Sequence, residues 1–338
     1  MNQRLVWIDN LKAYGMILVI IGHSFVLSSA YEYSEMLMKL IYSFHMPLFF
    51  FISGYLFRNK NNKGNIFRRK WKTLILPYFI FQIITVVIIN SFYYLTTGHL
   101  ERDPLSTLLS VFYLNGSVGW NSPLWFLMVL AIIDVLYYFF NKLDGNTGIQ
   151  ITLVLLSSII GWLLSETGIQ YPFGLQIVFV CFLFYYLGNI TKKYAMLKLL
   201  SKNLFFYVFV VVTSGFFLIA SMLWLNGTKH TSLYDNYLGT SYILFILTAL
   251  SGILFSFLVF QMLYTNTVFT IFGEESILLL GTQYFFLLGI DEVSRAVGIY
   301  SPLPYYLVIK VLTTLIAYKI ILYLWLRVKK KPVTTNKG

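Results

Sequence analysis

Ten long stretches of mostly apolar residues run along the chain, and each has about the length of a helix that crosses a lipid bilayer. A spanning helix needs roughly 20 apolar residues, because it rises about 1.5 Å per residue through a hydrocarbon layer about 30 Å thick. The stretches cover residues 13–31, 38–57, 74–95, 123–140, 148–164, 175–190, 204–225, 240–263, 275–290 and 305–326. The pattern predicts an all-α polytopic membrane protein, a bundle of about ten transmembrane helices, with a re-entrant pair among the shorter stretches as the alternative.

The amino-acid composition supports a membrane protein. Of the 338 residues, 58% are hydrophobic and 11% are charged, and the mean hydropathy is +0.73. A soluble domain is about 45–50% apolar and about 25% charged, so a soluble fold is excluded. We expect one transmembrane domain over residues 1–338, with cytoplasmic tails at 1–12 and 327–338. Cys181 is the only cysteine, which excludes an intramolecular disulfide and a cysteine metal cluster.

The distribution of basic residues predicts the orientation of the helices. The net charge is +12, from 25 Lys and Arg against 13 Asp and Glu. With the amino terminus in the cytoplasm, 19 basic residues fall on the cytoplasmic side and 4 on the outer side, while Lys310 and Lys319 lie within the last stretch. Cytoplasmic loops are rich in Lys and Arg, so both termini are expected to be cytoplasmic. The positive charge therefore indicates topology and contact with anionic lipid rather than nucleic-acid binding.

The first apolar stretch carries a row of ionisable side chains. Lys12 and His23 are 11 residues apart, so on a helix they share one face and lie about 16 Å apart along the axis. Asp9 lies close to the same line. Ionisable residues are costly in lipid and mark functional sites, whereas the alternative for His23 is a buried imidazole that hydrogen-bonds to a neighbouring helix. These residues also favour a retained first span over a cleaved signal peptide.

The second stretch adds another histidine in the outer half of the membrane. His45 precedes Pro47 and the small pair Ser53 and Gly54. Because consecutive spans are antiparallel, we expect His23 and His45 to line one cavity. Pro47 is expected to break the helix, and the small pair is expected to permit close helix packing.

Other polar and aromatic positions carry weaker signals. Asp134, in the fourth stretch, is expected to pair with a basic group or polar network. Ser122 is expected to cap the helix that follows it, and Trp125 is expected at the membrane interface, with stacking on a sugar as the alternative. His99 and His230 are expected to be solvated histidines of outer loops.

A strongly basic loop follows the second stretch. It contains no acidic residue, and its basic residues are Arg58, Lys60, Lys63, Arg68, Arg69, Lys70 and Lys72. One interpretation is that the loop only sets the topology. The other is a cradle for a polyanionic cytoplasmic ligand, because arginine forms paired hydrogen bonds to phosphate and lysine supplies a point charge. The composition is compatible with both.

Short motifs occur over most of the chain. They are Ile8-Asp9-Asn10-Leu11-Lys12, Gly22-His23-Ser24, the segment from Phe44 to Leu56, Leu76-Pro77-Tyr78, Leu124-Trp125-Phe126-Leu127 and Phe184-Tyr185-Tyr186-Leu187-Gly188. In this order they resemble the integral-membrane acyltransferase family 3, in its branch of fucose 4-O-acetylase-like sugar O-acetyltransferases. The segment from Gly273 to Ile277 is similar to a late motif of the family. A histidine common shortly after that motif is Gln283 here, so no proton-transfer role is expected in the ninth stretch.

The resemblance implies a membrane O-acyltransferase that moves an acetyl group, or another short acyl group such as succinyl, from cytoplasmic acyl-CoA to a hydroxyl of an extracytoplasmic carbohydrate such as a cell-surface polysaccharide. It implies acetyl-CoA as the co-substrate, no metal, and the bacterial cytoplasmic (inner) membrane as the location. The alternatives are a multi-span transporter or exporter of a polar solute or lipid-linked sugar, and a non-catalytic sensor or scaffold.

The predicted site has a donor end and a catalytic end. The family pattern of a basic residue followed by a histidine maps onto Lys12 and His23, with His23 as general base or acyl carrier and His45 as the second catalytic residue. The residues expected to bind the donor are Lys12, Arg58, Arg68, Arg69, Lys70 and Lys72. The residues expected to bind substrate or support the site are Asp9, Ser53, Tyr78 and Trp125. The expected partners are acyl-CoA, a carbohydrate acceptor and the lipid bilayer, without nucleic acid.

Overall fold

The computed structural model describes residues 5–27, 31–58, 66–113, 116–143, 145–196, 202–225, 230–263, 267–301 and 304–329. Within these ranges the protein is helical and contains no β-strand. The α-helices are α1 Val6–Leu27, α2 Tyr31–Leu56, α3 Ile66–Lys70, α4 Leu76–Thr97, α5 Pro104–Leu109, α6 Trp125–Phe140, α7 Thr147–Glu166, α8 Leu175–Lys193, α9 Leu204–Ala220, α10 Tyr242–Met262, α11 Thr267–Glu274, α12 Ser276–Ala296 and α13 Pro304–Lys329.

Nine segments of the described ranges are long and apolar enough to cross a membrane. They are Glu35–Leu56, Ile66–Thr97, Ser122–Leu143, Thr147–Glu166, Pro172–Lys193, Leu204–Leu223, Tyr242–Met262, Ser276–Ala296 and Tyr305–Leu324. Each matches a stretch predicted from hydropathy, and the remaining stretch corresponds to α1, a helix of 22 residues. The predicted class, an all-α polytopic membrane protein, is confirmed.

Several features of the helices differ from the prediction. α1 begins at Val6, so residues 6–12, which were expected to belong to a cytoplasmic tail, are helical. α2 continues through Pro47, so the predicted break is wrong; the proline removes only one backbone donor, and surrounding helices bury the residue. The third span begins at Ile66, because α3 and a π-helical turn, Trp71–Ile75, continue directly into α4. Part of the predicted basic loop is therefore helical.

α1 lies at the centre of the bundle and contacts α2, α10, α11, α12 and α13. We call the side of the protein at which α1 begins the inner side and the opposite side the outer side. The contact with α11 is a direct backbone approach, since a Cβ at Gly273 would overlap the carbonyl group of Asp9. The motif that contains Gly273 thus fixes the short helix α11 against the start of α1.

Two glycines bring α2 and α8 into backbone contact. A Cβ at Gly54 would overlap the carbonyl group of Tyr185, and a Cβ at Gly188 would overlap the carbonyl group of Phe51. Small residues allow helices to approach this closely in a membrane. The predicted role of Gly54 in close helix packing is confirmed, and Gly188 supplies the matching surface.

A buried ion pair joins α12 to α13. Lys310 Nζ lies 2.6 Å from Asp291 Oδ2, and the Tyr306 hydroxyl donates to Asp291 Oδ1 at 2.8 Å. The side chains of Lys310 and Asp291 are 0% and 3% exposed. A buried charge is costly unless it is paired, so this contact fixes the relative position of the last two helices.

The outer connection before α6 is held against α4 and α12 by side-chain hydrogen bonds. The Tyr78 hydroxyl donates to the carbonyl oxygen of Gly116 at 3.0 Å, and Gln82 donates to the same oxygen at 3.3 Å. Further along, Asn121 donates to the carbonyl oxygen of Gly281 at 2.9 Å. Tyr78, which was expected to bind substrate or support the site, is fully buried and has the supporting position.

Candidate active site

A cavity of about 490 Å³ lies at the outer end of α1, and we call it the outer cavity. It is lined by Val19, His23, Val26, Tyr42, His45, Met46, Gly119, Ser122, Pro123, Trp125, His230, Ser232, Leu233, Tyr234, Asp235, Leu280 and Tyr284. The structure thus places His23 and His45, from two different helices, on one cavity. Its walls combine apolar and aromatic surface with a few polar groups, which is typical of a small-molecule site.

His45 is held in one orientation by its own helix. Its Nδ1 lies 2.7 Å from the carbonyl oxygen of Ile41, and its side chain is buried. Because a carbonyl oxygen can only accept a hydrogen bond, this contact assigns the proton to Nδ1 and the lone pair to Nε2. The ring also packs edge-on against Tyr42, with 5.0 Å between ring centroids. His45 is therefore arranged to accept a proton or a hydrogen bond at Nε2.

His23 faces the outer cavity from α1. Its ring packs edge-on against Tyr284, with 5.1 Å between centroids, and the side chain of Gln283 lies beside it. The Nδ1 atom of His23 is buried and has no hydrogen-bond partner among the described residues. A buried polar atom without a partner costs about 1–3 kcal/mol, so this atom is suited to meet a bound ligand.

His230 is a third histidine of the outer cavity, so the expectation of a solvated loop residue is wrong. Its ring lies 5.0 Å from the ring of Tyr42, and the side chain is half-buried. Burial lowers the pKa of His230, while the carboxylates of Asp235 and Glu35 act in the opposite direction. His230 thus packs against Tyr42 of α2, which its position in the sequence does not reveal. His99, by contrast, is exposed.

One wall of the outer cavity is formed by Ser232, Leu233, Tyr234 and Asp235. They belong to the six-residue segment Ser232–Tyr237, which we call the outer turn. The backbone groups of Ser232 and Tyr237 pair in both directions at 2.8 Å. Within the turn, the Ser232 hydroxyl donates to Asp235 Oδ2 at 2.7 Å and accepts from the backbone N–H of Asp235 at 3.2 Å. These contacts fix the position of the Asp235 carboxylate at the cavity.

Two expectations about the start of α6 are wrong. Trp125 is only 4% exposed and lines the outer cavity, so it does not lie at the membrane interface. Ser122 does not cap α6 but begins a short 3-10 turn, and its hydroxyl lies 3.0 Å from that of Tyr284. The physical reason is the hydrogen bonding of Asn121, which draws this segment into the bundle.

A second cavity, of about 410 Å³, lies on the inner side, and we call it the inner cavity. It is lined by Lys12, Phe49, Ile52, Ser53, Leu56, Phe57, Arg58, Arg69, Lys70, Thr73, Leu74, Phe126, Leu127, Leu130, Asp134, Ser276 and Ile277. Four of the predicted donor-binding cations are therefore brought together here. The other two, Arg68 and Lys72, are exposed and are not among the lining residues.

Carboxylates are paired with two of the cations of the inner cavity. Lys70 forms an ion pair with the buried carboxylate of Asp134, to which the Tyr185 hydroxyl also donates at 2.6 Å. The expectation that Asp134 pairs with a basic group is confirmed. On α1, Lys12 Nζ lies 3.6 Å from Asp9 Oδ1. Asp9 thus supports Lys12, and the net charge of the inner cavity remains positive.

A space of about 30 Å³ lies between the two cavities, and we call it the constriction. With the outer cavity it shares Val19, Met46 and Leu280. With the inner cavity it shares Phe49, Phe126, Leu127, Ser276 and Ile277. The lining positions of α1 run from Lys12 through Met16 and Val19 to His23, along one helix face. The three spaces therefore follow α1 in one line from the inner to the outer side.

The family of the protein follows from a comparison of sequences. A family model described as an acyltransferase domain matches residues 5–323. The chain belongs to this acyltransferase family. Comparisons with curated proteins and with solved structures gave no match. The family resemblance is thus confirmed, and it favours a membrane enzyme over the alternatives of a transporter or a scaffold.

Several residues at the outer cavity of the acyltransferase were not predicted from the sequence. Tyr42 lies three positions before His45, and this helical spacing was a usable signal. Tyr284 and Gln283 come from α12, far along the chain from His23, and only packing brings them together. Gln283, for which the family resemblance implied no proton-transfer role, thus lies beside His23.

Proposed function

We propose that the acyltransferase moves an acetyl or other short acyl group from cytoplasmic acyl-CoA to a hydroxyl of an extracytoplasmic carbohydrate. The observation that carries this proposal is the line of three spaces along α1, with cations at the inner end and histidines at the outer end. In this arrangement the donor and the acceptor enter from opposite sides and meet at the outer cavity.

The inner cavity is suited to the polyanionic part of the donor. The guanidinium groups of Arg58 and Arg69 and the ammonium group of Lys12 line it, and phosphate groups bind to such groups through charge-assisted hydrogen bonds. Ser276, the first residue of α12, also lines this cavity. The amino-terminal end of a long helix carries partial positive charge, which adds to the attraction for an anion.

The outer cavity is suited to a carbohydrate acceptor. The rings of Tyr42, Trp125 and Tyr284 offer aromatic surface to the apolar C–H face of a sugar. The hydroxyl of Ser122 and the carboxylate of Asp235 offer hydrogen-bond partners to sugar hydroxyls. This mixture favours a polyhydroxylated ligand over a purely apolar one.

In the proposed reaction His23 is the general base. It takes the proton of the acceptor hydroxyl while the hydroxyl oxygen attacks the carbonyl carbon of the thioester. The ester bond forms, the C–S bond breaks, and the proton passes from His23 to the departing thiolate, so that CoA leaves as a thiol. The Nε2 atom of His45 receives a hydrogen bond from the acceptor carbohydrate, and this contact positions the carbohydrate. A base is required because a sugar hydroxyl is a weak nucleophile near neutral pH.

The test of this function is the variant His23→Ala. Loss of the general base is expected to lower the rate of acetyl transfer by about a hundredfold or more. The measurement is the transfer of radiolabelled acetyl groups from acetyl-CoA to cell-surface glycans by purified protein in liposomes. His99→Ala is the matched control, since His99 is exposed and does not line the cavity, and it is expected to keep the wild-type rate. A correctly folded His23→Ala protein with the wild-type rate would refute the assignment.

A further inference from the structure

The outer surface has a second concave region, of about 890 Å³, which we call the side groove. It lies between the end of α7, the start of α10 and the segment that joins the outer turn to α10. Its volume exceeds that of the outer cavity. The acyl-transfer reaction as derived above does not use it.

The side groove and the outer cavity lie on two sides of the outer turn. Asp235 lines the outer cavity, and the next residue, Asn236, lines the side groove. Consecutive Cα atoms are about 3.8 Å apart, so the two spaces are separated by little more than the thickness of this turn. A chain-like ligand with one unit in the outer cavity therefore reaches the side groove within one or two units.

Asn236 lines the side groove, and its buried carboxamide is unsatisfied. The residue is 7% exposed, and neither its Nδ2 nor its Oδ1 has a hydrogen-bond partner among the described residues. Its backbone has φ of 55°, a left-handed conformation that asparagine tolerates better than most residues. Buried amides are almost always hydrogen-bonded, so two unpaired atoms on one side chain point to a ligand.

The remaining walls of the side groove indicate the chemistry of that ligand. The rings of Trp162 and Tyr242 lie nearly parallel, at 13°, with 6.3 Å between centroids, and Trp162 is 39% exposed. Glu166 adds an exposed carboxylate, and the described lining contains no lysine or arginine. These residues provide no cation to bind a phosphate group. They do provide aromatic faces, an amide and a carboxylate, which bind a neutral sugar.

We propose that the side groove binds neutral sugar units that adjoin the unit being acylated, so that the enzyme selects an extended glycan over a single sugar. This inference rests on the proposed function and adds a second acceptor-binding site to it. Asn236 donates and accepts hydrogen bonds with sugar hydroxyls there, Glu166 accepts them, and Trp162 packs against a sugar ring. The outer turn holds the two sites at a fixed separation.

The test compares neutral pentasaccharides of glucose, galactose, N-acetylglucosamine or rhamnose with the corresponding monosaccharides. Binding is measured with the purified full-length protein, and acetyl transfer is measured with acetyl-CoA. At least one pentasaccharide is expected to bind about tenfold more tightly than its monosaccharide, which corresponds to about 1.4 kcal/mol. Asn236→Gly, which keeps the backbone conformation accessible, and Glu166→Ala, which removes the acceptor oxygens, are expected to remove this advantage and leave monosaccharide binding unchanged.

Ala195→Gly is the matched control, because Ala195 also has a positive φ, of 48°, but does not line the side groove. It is expected to keep the tenfold advantage. The proposal is overturned if no pentasaccharide binds more tightly than its monosaccharide, or if Asn236→Gly keeps the advantage. A different result would contradict only the proposed function, namely the absence of acetyl transfer together with tighter binding of longer glycans. His23→Ala protein is expected to show that length dependence without turnover.

Discussion

Neighbouring basic residues have different surroundings in this protein. Both Arg68 and Arg69 are exposed, but only Arg69 lines the inner cavity. Successive residues of a helix point about 100° apart, so α3 presents only some of its cations to the cavity. The sequence shows a run of basic residues, but the packing of α3 decides which of them face the cavity.

Replacing Arg69 with Gln is expected to raise the KM for acetyl-CoA about tenfold, equivalent to about 1.4 kcal/mol, because it removes a cation from the site proposed for the donor phosphates. The measurement is the rate of acetyl transfer as a function of acetyl-CoA concentration. Added salt is expected to narrow the difference from the wild type, since it screens the charges. Arg68→Gln is the matched control and is expected to leave KM nearly unchanged. Equal KM values for the two variants would argue that the inner cavity does not bind the donor.

For single residues, the sequence reveals which ionisable groups lie within apolar stretches. It does not reveal which residues contact them in the folded protein. His23 and His45 could be selected because an ionisable group within an apolar stretch requires a reason. Tyr284 could not, because it meets His23 only through the packing of α12 on α1. The predicted interfacial position of Trp125 was wrong, because the sequence around a tryptophan at the start of a helix is the same whether the segment faces lipid or folds into the bundle.

At the scale of the helices, the contact between α2 and α8 requires glycine, because there is no room for a Cβ atom. Gly188→Ala would place a Cβ against the carbonyl group of Phe51 and is expected to destabilise the protein by about 1–3 kcal/mol or more. The measurement is the midpoint of thermal denaturation in detergent, which is expected to fall. Gly289→Ala in α12 is the control, because a Cβ there meets no atom within 4 Å. Its midpoint is expected to stay the same or rise, since alanine favours a helix by about 1 kcal/mol. An unchanged midpoint for Gly188→Ala would show that α2 and α8 can separate without cost.

Hydropathy predicted where the helices lie better than where they end. Each apolar stretch corresponds to a helix, because lipid requires the backbone to satisfy its own hydrogen bonds. The ends depend on contacts that hydropathy does not measure. α2 passes through Pro47 because neighbouring helices bury it, and the third span starts early because α3 packs on the inner side of α6.

Across the whole molecule, the line of spaces is narrowest at the constriction. Its volume of about 30 Å³ is far below that of either cavity, so on the proposed route the arm of an acyl thioester passes only when side chains move. Met16 and Met46 line it, and methionine is the most adaptable of the apolar side chains. On the proposed route, movement of such side chains would open the constriction to the donor arm.

Filling the constriction is expected to separate donor binding from transfer. Ile277→Trp adds volume where the inner cavity meets the constriction, so the rate of acetyl transfer is expected to fall at least about tenfold, while acetyl-CoA still binds. The rate is measured by acetyl transfer and the binding by titration with acetyl-CoA. Ile309→Trp is the control, because Ile309 is 55% exposed on α13 and does not line any of the three spaces. A wild-type rate for Ile277→Trp would mean that the donor reaches the histidines by another route.

The buried pair of Lys310 and Asp291 also has a consequence for how the chain enters the membrane during synthesis. A lysine or an aspartate within a single helix opposes release into lipid, by about 2.5–3.5 kcal/mol at the helix centre and by less toward its ends. The two residues lie on consecutive helices whose ends, Ala296 and Pro304, are only a few residues apart. Each helix therefore supplies the counter-charge that the other lacks. The end of the chain is best regarded as one helical hairpin, and a nascent protein cut after α12 would leave the Asp291 carboxylate in the membrane without its cation.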